Sequence, residues 1–397
     1  MSRISERVKT RSVRSMKRVV HERERFHRRA VHSACRVRTF VESGIDMGLL
    51  FGSSSSHWPR RYLSFVGVSL SLALAGANAL AAAGKSTSQP NDDVLRAQIF
   101  LDGSNFKPGV IDGRWGEFMR KALARYEEAE GKNGERFGKQ APAGFDLPFD
   151  PSQPLLTSYT FSPNDQKFIG SIPENHAQQA RQKSLPYKDF LELVGEKFHA
   201  KRDFLRQLNP GYDWNKAKPG DEVKVPNVAK PFDVQEAIDL KTRTASAEKT
   251  NSIPTEDKKP ETERYALFVS VREKVMELKQ DGKLVGSYPI TPGSKSLPAP
   301  IGEWFVKGFS WMPTFRWDEA MLHHGERSGN FYELPGGPNN PVGILWMELS
   351  HKGSGIHGTD VPETIGRTTS HGCIRLSNWD ALDLGNKVLP GVHVTIR

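Results

Sequence analysis

The segment "KVMELKQDGKLVGSYPI", Lys274 to Ile290, constrains the fold more than any other. Two runs rich in apolar residues flank Asp281-Gly282, a dipeptide suited to a two-residue turn with both φ angles positive, so the segment is predicted to be a β-hairpin. "YALFVSV" (Tyr265 to Val271), "GILWMEL" (Gly343 to Leu349) and "GVHVTI" (Gly391 to Ile396) add strands, separated by Gly/Pro turns. Residues 264–397 therefore read as one β-dominated domain, a sandwich or barrel with few helices. At 397 residues and 37% hydrophobic, the chain has room for two or three compact domains in all.

Three stretches precede this domain. Residues 229–263 are rich in Lys, Glu, Thr and Pro. "ASAEKTNSIPTEDKKPETE" (Ala245 to Glu263) has almost no apolar side chain, so this region reads as a flexible linker. Residues 185–228 carry a helix (Tyr187 to Phe198), a second helix (Lys201 to Leu208) and a closing strand in "KPGDEVKVPNV", with a first strand expected near Ser184 to Pro186. This small α+β unit resembles a LysM module, which implies binding of N-acetylglucosamine-containing glycans. Residues 91–131 show helical spacing at Val94, Ala97, Gln98 and Leu101 and again at Phe118, Ala122, Leu123 and Tyr126, around the turn-rich "GVIDGRWG" (Gly109 to Gly116). This small α-helical unit resembles a peptidoglycan-binding module. A spacer role is open for both units.

The formal charge of +10 does not describe the folded body. Residues 1–46 hold 13 Lys/Arg and 5 Asp/Glu, and Arg60 and Arg61 add two more cations, which leaves 41 basic against 41 acidic residues from Tyr62 onward. A nucleic-acid partner is therefore not expected, because the excess lies in a leader. Pro59 to Tyr62 is basic, Leu63 to Ala75 is apolar, and Ala77 to Gly84 offers small residues at the −3 and −1 positions, for example Ala81 and Ala83. This grammar assigns 47–83 to a signal peptide and the body to the periplasm, with membrane association only through an uncleaved leader. Residues 1–46 then read as disordered or as the product of a misplaced start, with translation beginning at Met47.

If so, Cys373 is the one cysteine of the exported chain, where it has no partner for a disulfide. It sits in "SHGCIRLSNWDAL" (Ser370 to Leu382), 16 positions after His357 of "GIHGTDVP". Three readings of that thiol are open. It is a nucleophile, a buried apolar filler, or a zinc ligand with His351, His357, His371 and the His323-His324 pair. No CxxC or HExxH pairing supports the metal, and none is expected.

The spacing from His357 to Ser370, His371, Gly372 and Cys373, followed by Ile374 and Arg375, resembles the motif of the YkuD-type L,D-transpeptidase family. "SLPAPIGEW" (Ser296 to Trp304) is similar to that family's strand entry. The resemblance covers the last third of the chain. It implies Cys373 as nucleophile and His357 as general base and later acid, with the Gly358 carbonyl orienting its other ring nitrogen. A thiolate–imidazolium pair is the expected resting form. Gly372 permits a sharp turn that aims N–H groups at an oxyanion. His371 is expected to support that region and Ser370 to hydrogen-bond the loop. Arg375 holds the loop, meets a substrate carboxylate, or forms a structural ion pair. The implied substrate is peptidoglycan, with no cofactor. A Cys373 thioester forms on a tetrapeptide stem, D-alanine leaves, and the acyl group passes to a second stem (a 3→3 crosslink) or to a lysine of an outer-membrane protein. Transfer to water would make the enzyme an L,D-carboxypeptidase, and a non-catalytic peptidoglycan-binding role is the remaining alternative.

Overall fold

The structure is a computed structural model, and it describes residues 90–132, 137–249 and 264–397. The basic segment 1–46, the signal peptide read at 47–83 and the 250–263 part of the linker lie outside the described residues.

Asn91 starts helix α1 (Asp92–Gly103): its side chain accepts the Val94 N–H at 3.0 Å, and Asp92 and Asp93 place negative charge at the end rich in free N–H groups. Helix α2 (Glu117–Ala129) follows the turn-rich stretch. Ala97 and Leu101 of the first helix cluster with Met119, Ala122, Leu123 and Tyr126 of the second.

Strand β1 (Leu156–Thr160) pairs antiparallel with β2 (Glu222–Pro226). Between them run two short helices, α3 (Pro163–Gln166) and α4 (His176–Gln179), and then α5 (Phe190–Lys197) and α6 (Arg202–Leu208). The first strand is therefore not at Ser184 to Pro186. Leu185 is occupied elsewhere: its N–H donates to the Gly336 carbonyl at 3.1 Å and its carbonyl accepts the Asn339 N–H at 3.2 Å. The residues separating β1 from α5 hid the pairing, because nothing local marks a partner so far along the chain.

The linker reading of 229–263 also needs correction. Residues Val234–Lys249 form helix α7. Phe232, Val234 and Ala237 are buried, the Phe232 N–H donates to the Lys197 carbonyl at 2.7 Å, and Lys241 Nζ reaches the Met312 carbonyl at 3.1 Å. A few apolar residues at helical spacing outweigh a polar composition once there is a surface to pack on.

The β-rich domain comprises β3 (Tyr265–Ser270), β4 (Val275–Gln280), β5 (Lys283–Pro289), β6 (Gly302–Trp311), β7 (Phe315–Trp317), helix α8 (Glu319–His324), β8 (Tyr332–Leu334), β9 (Leu345–Leu349), β10 (Gly355–His357), β11 (Ile374–Arg375), helix α9 (Asn378–Lys387) and β12 (His393–Ile396). The hairpin turns where expected, with Asp281 at φ 49° and Gly282 at φ 79° and Gln280 facing Lys283. Eight strands form one mixed sheet in the order β11-β10-β9-β6-β12-β3-β4-β5, while β7 and β8 make a separate hairpin. The sheet curls until its edges meet. Thr291, just beyond β5, exchanges backbone hydrogen bonds of 3.0 and 2.9 Å with Arg375 of β11. Leu267, Val269, Met276, Leu278, Ile356 and Val394 are among the buried side chains of this sheet. A curled sheet with touching edges replaces the expected choice between sandwich and barrel.

The preceding units are not beads on a string, because the described residues all belong to one compact unit. Backbone bonds stitch them together. Lys107 N donates to Ser287 O at 2.8 Å and Ser287 N to Asn105 O at 2.9 Å, so the first unit covers the β5 edge. Ile111 N donates to His199 O at 2.7 Å and Lys201 N to Ile111 O at 3.0 Å, which joins the first unit to the second. A buried polar cluster reinforces the joint: His199 Nδ1 lies 3.0 Å from Asp102, and Lys107 Nζ donates to the Asp102 carbonyl at 2.7 Å. Burial disfavours the charged Asp102 carboxylate, but His199 and Lys107 outweigh that and hold it well below the usual range.

Candidate active site

Strands β10 and β11 run parallel, with Ile356 opposite Ile374 and His357 opposite Arg375. Side chains alternate along a strand, so Gly355, His357, Cys373 and Arg375 belong to one face of the pair. Cys373 immediately precedes β11 and is partly buried with a free thiol. The fold thus seats His357 on β10 and Cys373 just ahead of the parallel β11, so two residues 16 apart in the chain share one face of adjoining segments.

The turn before Cys373 is tightly built. Gly372 has φ 101°, a conformation that would strain any side-chain-bearing residue by about 1–2 kcal/mol. Ser370 Oγ donates to the Cys373 carbonyl at 2.5 Å, and its backbone N–H donates to Pro292 O at 3.1 Å. Ser370 is therefore a loop hydrogen-bonder. Segment 291–299 closes over the turn, and a Cβ on Gly372 would stand 3.5 Å from the Pro298 carbonyl oxygen.

His357 is 5% exposed, and its Nδ1 lies 2.7 Å from the Gly358 carbonyl oxygen. That oxygen can only accept, so Nδ1 carries the proton and Nε2 keeps its lone pair. Trp346 of β9 stacks on the imidazole at 5.5 Å and 22°. Close approach fixes two glycines. A Cβ at Gly355 would lie 2.6 Å from the Trp346 ring, and one at Gly358 would lie 2.2 Å from Asn378 Oδ1. Asn378 is held in turn by the Ile344 N–H at 3.1 Å and by Glu196, which accepts from its Nδ2 at 2.8 Å.

The electrostatics depart from the expected ion pair. Burial pushes the Cys373 thiol up, against the Gly355 N–H and the Arg375 cation, which favour the thiolate. Burial, then Arg375, lowers His357 to about 3 despite its bond to Gly358. The resting pair is therefore a neutral thiol and a neutral imidazole. Arg375 is the charge common to the site, acting on Cys373, His357, His371 and Asp360, and its Nε finds no hydrogen-bond partner among the described residues. His371 is exposed, and its basicity is reduced by partial burial, Arg375 and then His323 of α8. The hairpin carrying α8 thus approaches the cysteine turn. His351 instead pairs with Ser354 at 2.9 Å and meets Trp304 edge-on. Among the described residues no group of three or more His, Cys, Asp or Glu side chains is arranged to hold a metal ion.

Sequence reasoning missed Trp346, Asp360, Asn378 and Thr291. Asp360, Asn378 and Trp346 lay inside stretches quoted above ("GIHGTDVP", "SHGCIRLSNWDAL" and "GILWMEL"), but nothing local marks the contacts of any of the four.

A curled β-sheet that places a thiol and a stacked, carbonyl-anchored imidazole on one face of adjoining segments holds the groups that cysteine-dependent acyl transfer needs. Residues 264–396 match the family model of the YkuD-type L,D-transpeptidase catalytic domain. A putative L,D-transpeptidase YkuD from Bacillus subtilis is 32% identical over 138 residues, 35% of this chain and 69% of that protein. Its namesake from Bacillus licheniformis is 28% identical over 206 residues, 52% of this chain and 92% of the relative. The probable L,D-transpeptidase ErfK/SrfK of Escherichia coli is 25% identical over 264 residues, 64% of this chain and 71% of that protein. The chain belongs to the YkuD-type L,D-transpeptidase family. Among solved structures, an Enterococcus faecium L,D-transpeptidase matches 34% of this chain and 50% of its own, at 25% identity and a TM-score of 0.28.

Proposed function

We propose that the chain is an exported L,D-transpeptidase acting in the periplasm on peptidoglycan stems, with Cys373 as nucleophile and His357 as general base. The reading rests on one observation above all: the Gly358 carbonyl holds His357 Nδ1–H, which leaves Nε2 as the basic nitrogen on the face that carries Cys373. Nε2 takes the Sγ–H proton as sulfur attacks the carbonyl of the third stem residue. The C–S bond forms, and the oxyanion is met by N–H groups of the Gly372–Cys373 turn. The amine of D-alanine departs with the proton from the imidazolium as the C–N bond breaks, leaving a thioester. An acceptor amine then attacks the thioester, gives its proton to His357, and sulfur leaves as thiolate to regain it. Starting from a neutral pair, charge separates only during attack, and the Arg375 cation favours the thiolate that develops. The Arg375 cation, on the same face as Cys373, also suits a substrate carboxylate. His371 borders the same turn and supports the donor side.

Residues 156–226, with strand, two main helices and strand, support a LysM-like reading, and α1 and α2 a peptidoglycan-binding one. Both are proposed to keep the enzyme on the wall. Incubation with tetrapeptide-rich sacculi and mass spectrometry of the muropeptides should show 3→3 dimers, lost at least a thousandfold in Cys373→Ala and His357→Gln. Persistent dimers in either variant overturn the assignment, and trimmed tripeptides without dimers identify the carboxypeptidase instead.

A further inference from the structure

A cavity of about 890 Å³ lies away from Cys373, where all three parts of the folded chain meet. The "GVIDGRWG" turn and the start of α2 form one wall. Helix α6 forms another, and residues 362–367 with the start of α9 form the third. Its volume falls in the range of small-ligand sites.

The interior is not a sealed packing defect. Trp379 and Asp380 line it at 4% and 2% exposure, and Trp379 Nε1 and Asp380 Oδ1 find no hydrogen-bond partner among the described residues. Arg114 Nε, on the opposite wall, is also buried and unpartnered. Buried polar atoms left in this state cost roughly 1–3 kcal/mol each, and three of them belong to residues that line this one cavity, beneath its surface. Burial raises Asp380 to about 7, so its carboxyl can donate as well as accept.

Charge narrows the ligand. The acidic side chains of the wall are largely spoken for: Glu117 pairs with Lys121 at 2.5 Å, Asp203 with Arg206 at 3.0 Å and Glu363 with Arg202 at 3.1 Å. Asp112 caps the Arg114 N–H at 3.0 Å. Lys201 and Arg367 make no ion pair among the described residues. Unpaired cations at the rim, the Asp380 carboxyl and the rings of Trp115 and Phe118 suit a short peptide with free carboxylates and aliphatic stretches.

We infer that this cavity is a second, non-catalytic site for a carboxylated peptide, the stem of the polymer on which the enzyme acts. The identity of the peptide rests on the proposed function; the site itself rests on the geometry. One wall belongs to the loop joining His357 to Ser370. Phe118 packs against Gly366, where a Cβ would come within 2.0 Å of the ring. A stem held here is held next to the segment that carries the catalytic motif.

The test titrates the full chain, as its Cys373→Ala variant, with the soluble tripeptide L-alanyl-γ-D-glutamyl-diaminopimelate by calorimetry. Two sites are expected, and adding Lys201→Glu with Arg367→Glu should remove one, weakening it at least tenfold while the melting temperature stays unchanged. Asp380→Asn should weaken the same site without a change of charge at the rim. A single site in the parent chain, unaltered binding in the charge-reversal variant, or binding there of N-acetylglucosamine oligomers and not of peptide overturns the inference. Turnover is not read in this experiment, so failure of the transpeptidase reading would appear separately, as no D-alanine release by the chain with Cys373 intact.

Discussion

Arg375 is the charge that acts on Cys373, and burial together with that cation explains why the His357 imidazole is so weakly basic. His357 is held near 3 by burial and then by that cation. In the unfolded chain an imidazole titrates near 6.5. Between those values the unfolded state binds more protons, so folding stability falls as pH drops from about 6.5 toward 3. His357 alone should cost the protein roughly 3 kcal/mol between pH 7 and pH 4. His357→Gln should flatten that part of the melting-temperature profile, and parallel profiles for the two proteins would refute it. Ser370, Gly372, Cys373 and His357 were legible as residues because their spacing is a local pattern. Their resting protonation was not, since burial is a property of the assembled sheet. For the same reason Trp346, which stacks on His357 from another strand, left no mark on the sequence.

Helix α5 shows how one element of the second unit reaches the back of the site. Its Glu196 accepts from Tyr187 and from Asn378, the first residue of α9, and the Asn378 oxygen abuts Gly358. Burial raises Glu196 to about 8. A carboxyl with a raised folded pKa binds more protons folded than unfolded, so its contribution is present below about 4.5 and is lost as pH rises toward 8. Glu196→Gln removes this titration. The melting temperature of the variant relative to the parent should therefore climb from pH 5 to pH 8, and a constant difference would rule out the buried proton. Helices α5 and α6, the Asp281-Gly282 hairpin and β3, β9 and β12 could all be read from periodicity and turn chemistry. Strand β1 could not, because its partner β2 lies far along the chain, and α7 could not, because its polar composition gives no hint of the surface that Phe232 and Val234 pack on.

At the scale of the whole molecule, the β-rich domain depends on residues outside itself. Asn105 and Lys107 complete the hydrogen bonding of β5 at Ser287, and Leu284 of that strand packs against the first unit's core. Residues 264–397 made alone would present that edge bare, and exposed edges pair with one another. The fragment should melt lower than the full chain and self-associate with concentration in sedimentation analysis; a monomer of equal stability would show that the edge is protected by other means. No helix among the described residues is long and apolar enough to cross a membrane.

The seam where segment 291–294 meets Ser370 and Arg375 rests on four backbone bonds in two isolated bridges, whereas β3 and β4 are zipped along six residue pairs. Local opening draws on the weakest stretch first. The curl can therefore spring apart at its seam while the rest of the sheet stands, lifting segment 291–299 off the turn that carries Cys373. Such an enzyme loses its chemistry before it loses its shape, and warming or mild denaturant would silence it reversibly, well short of collapse.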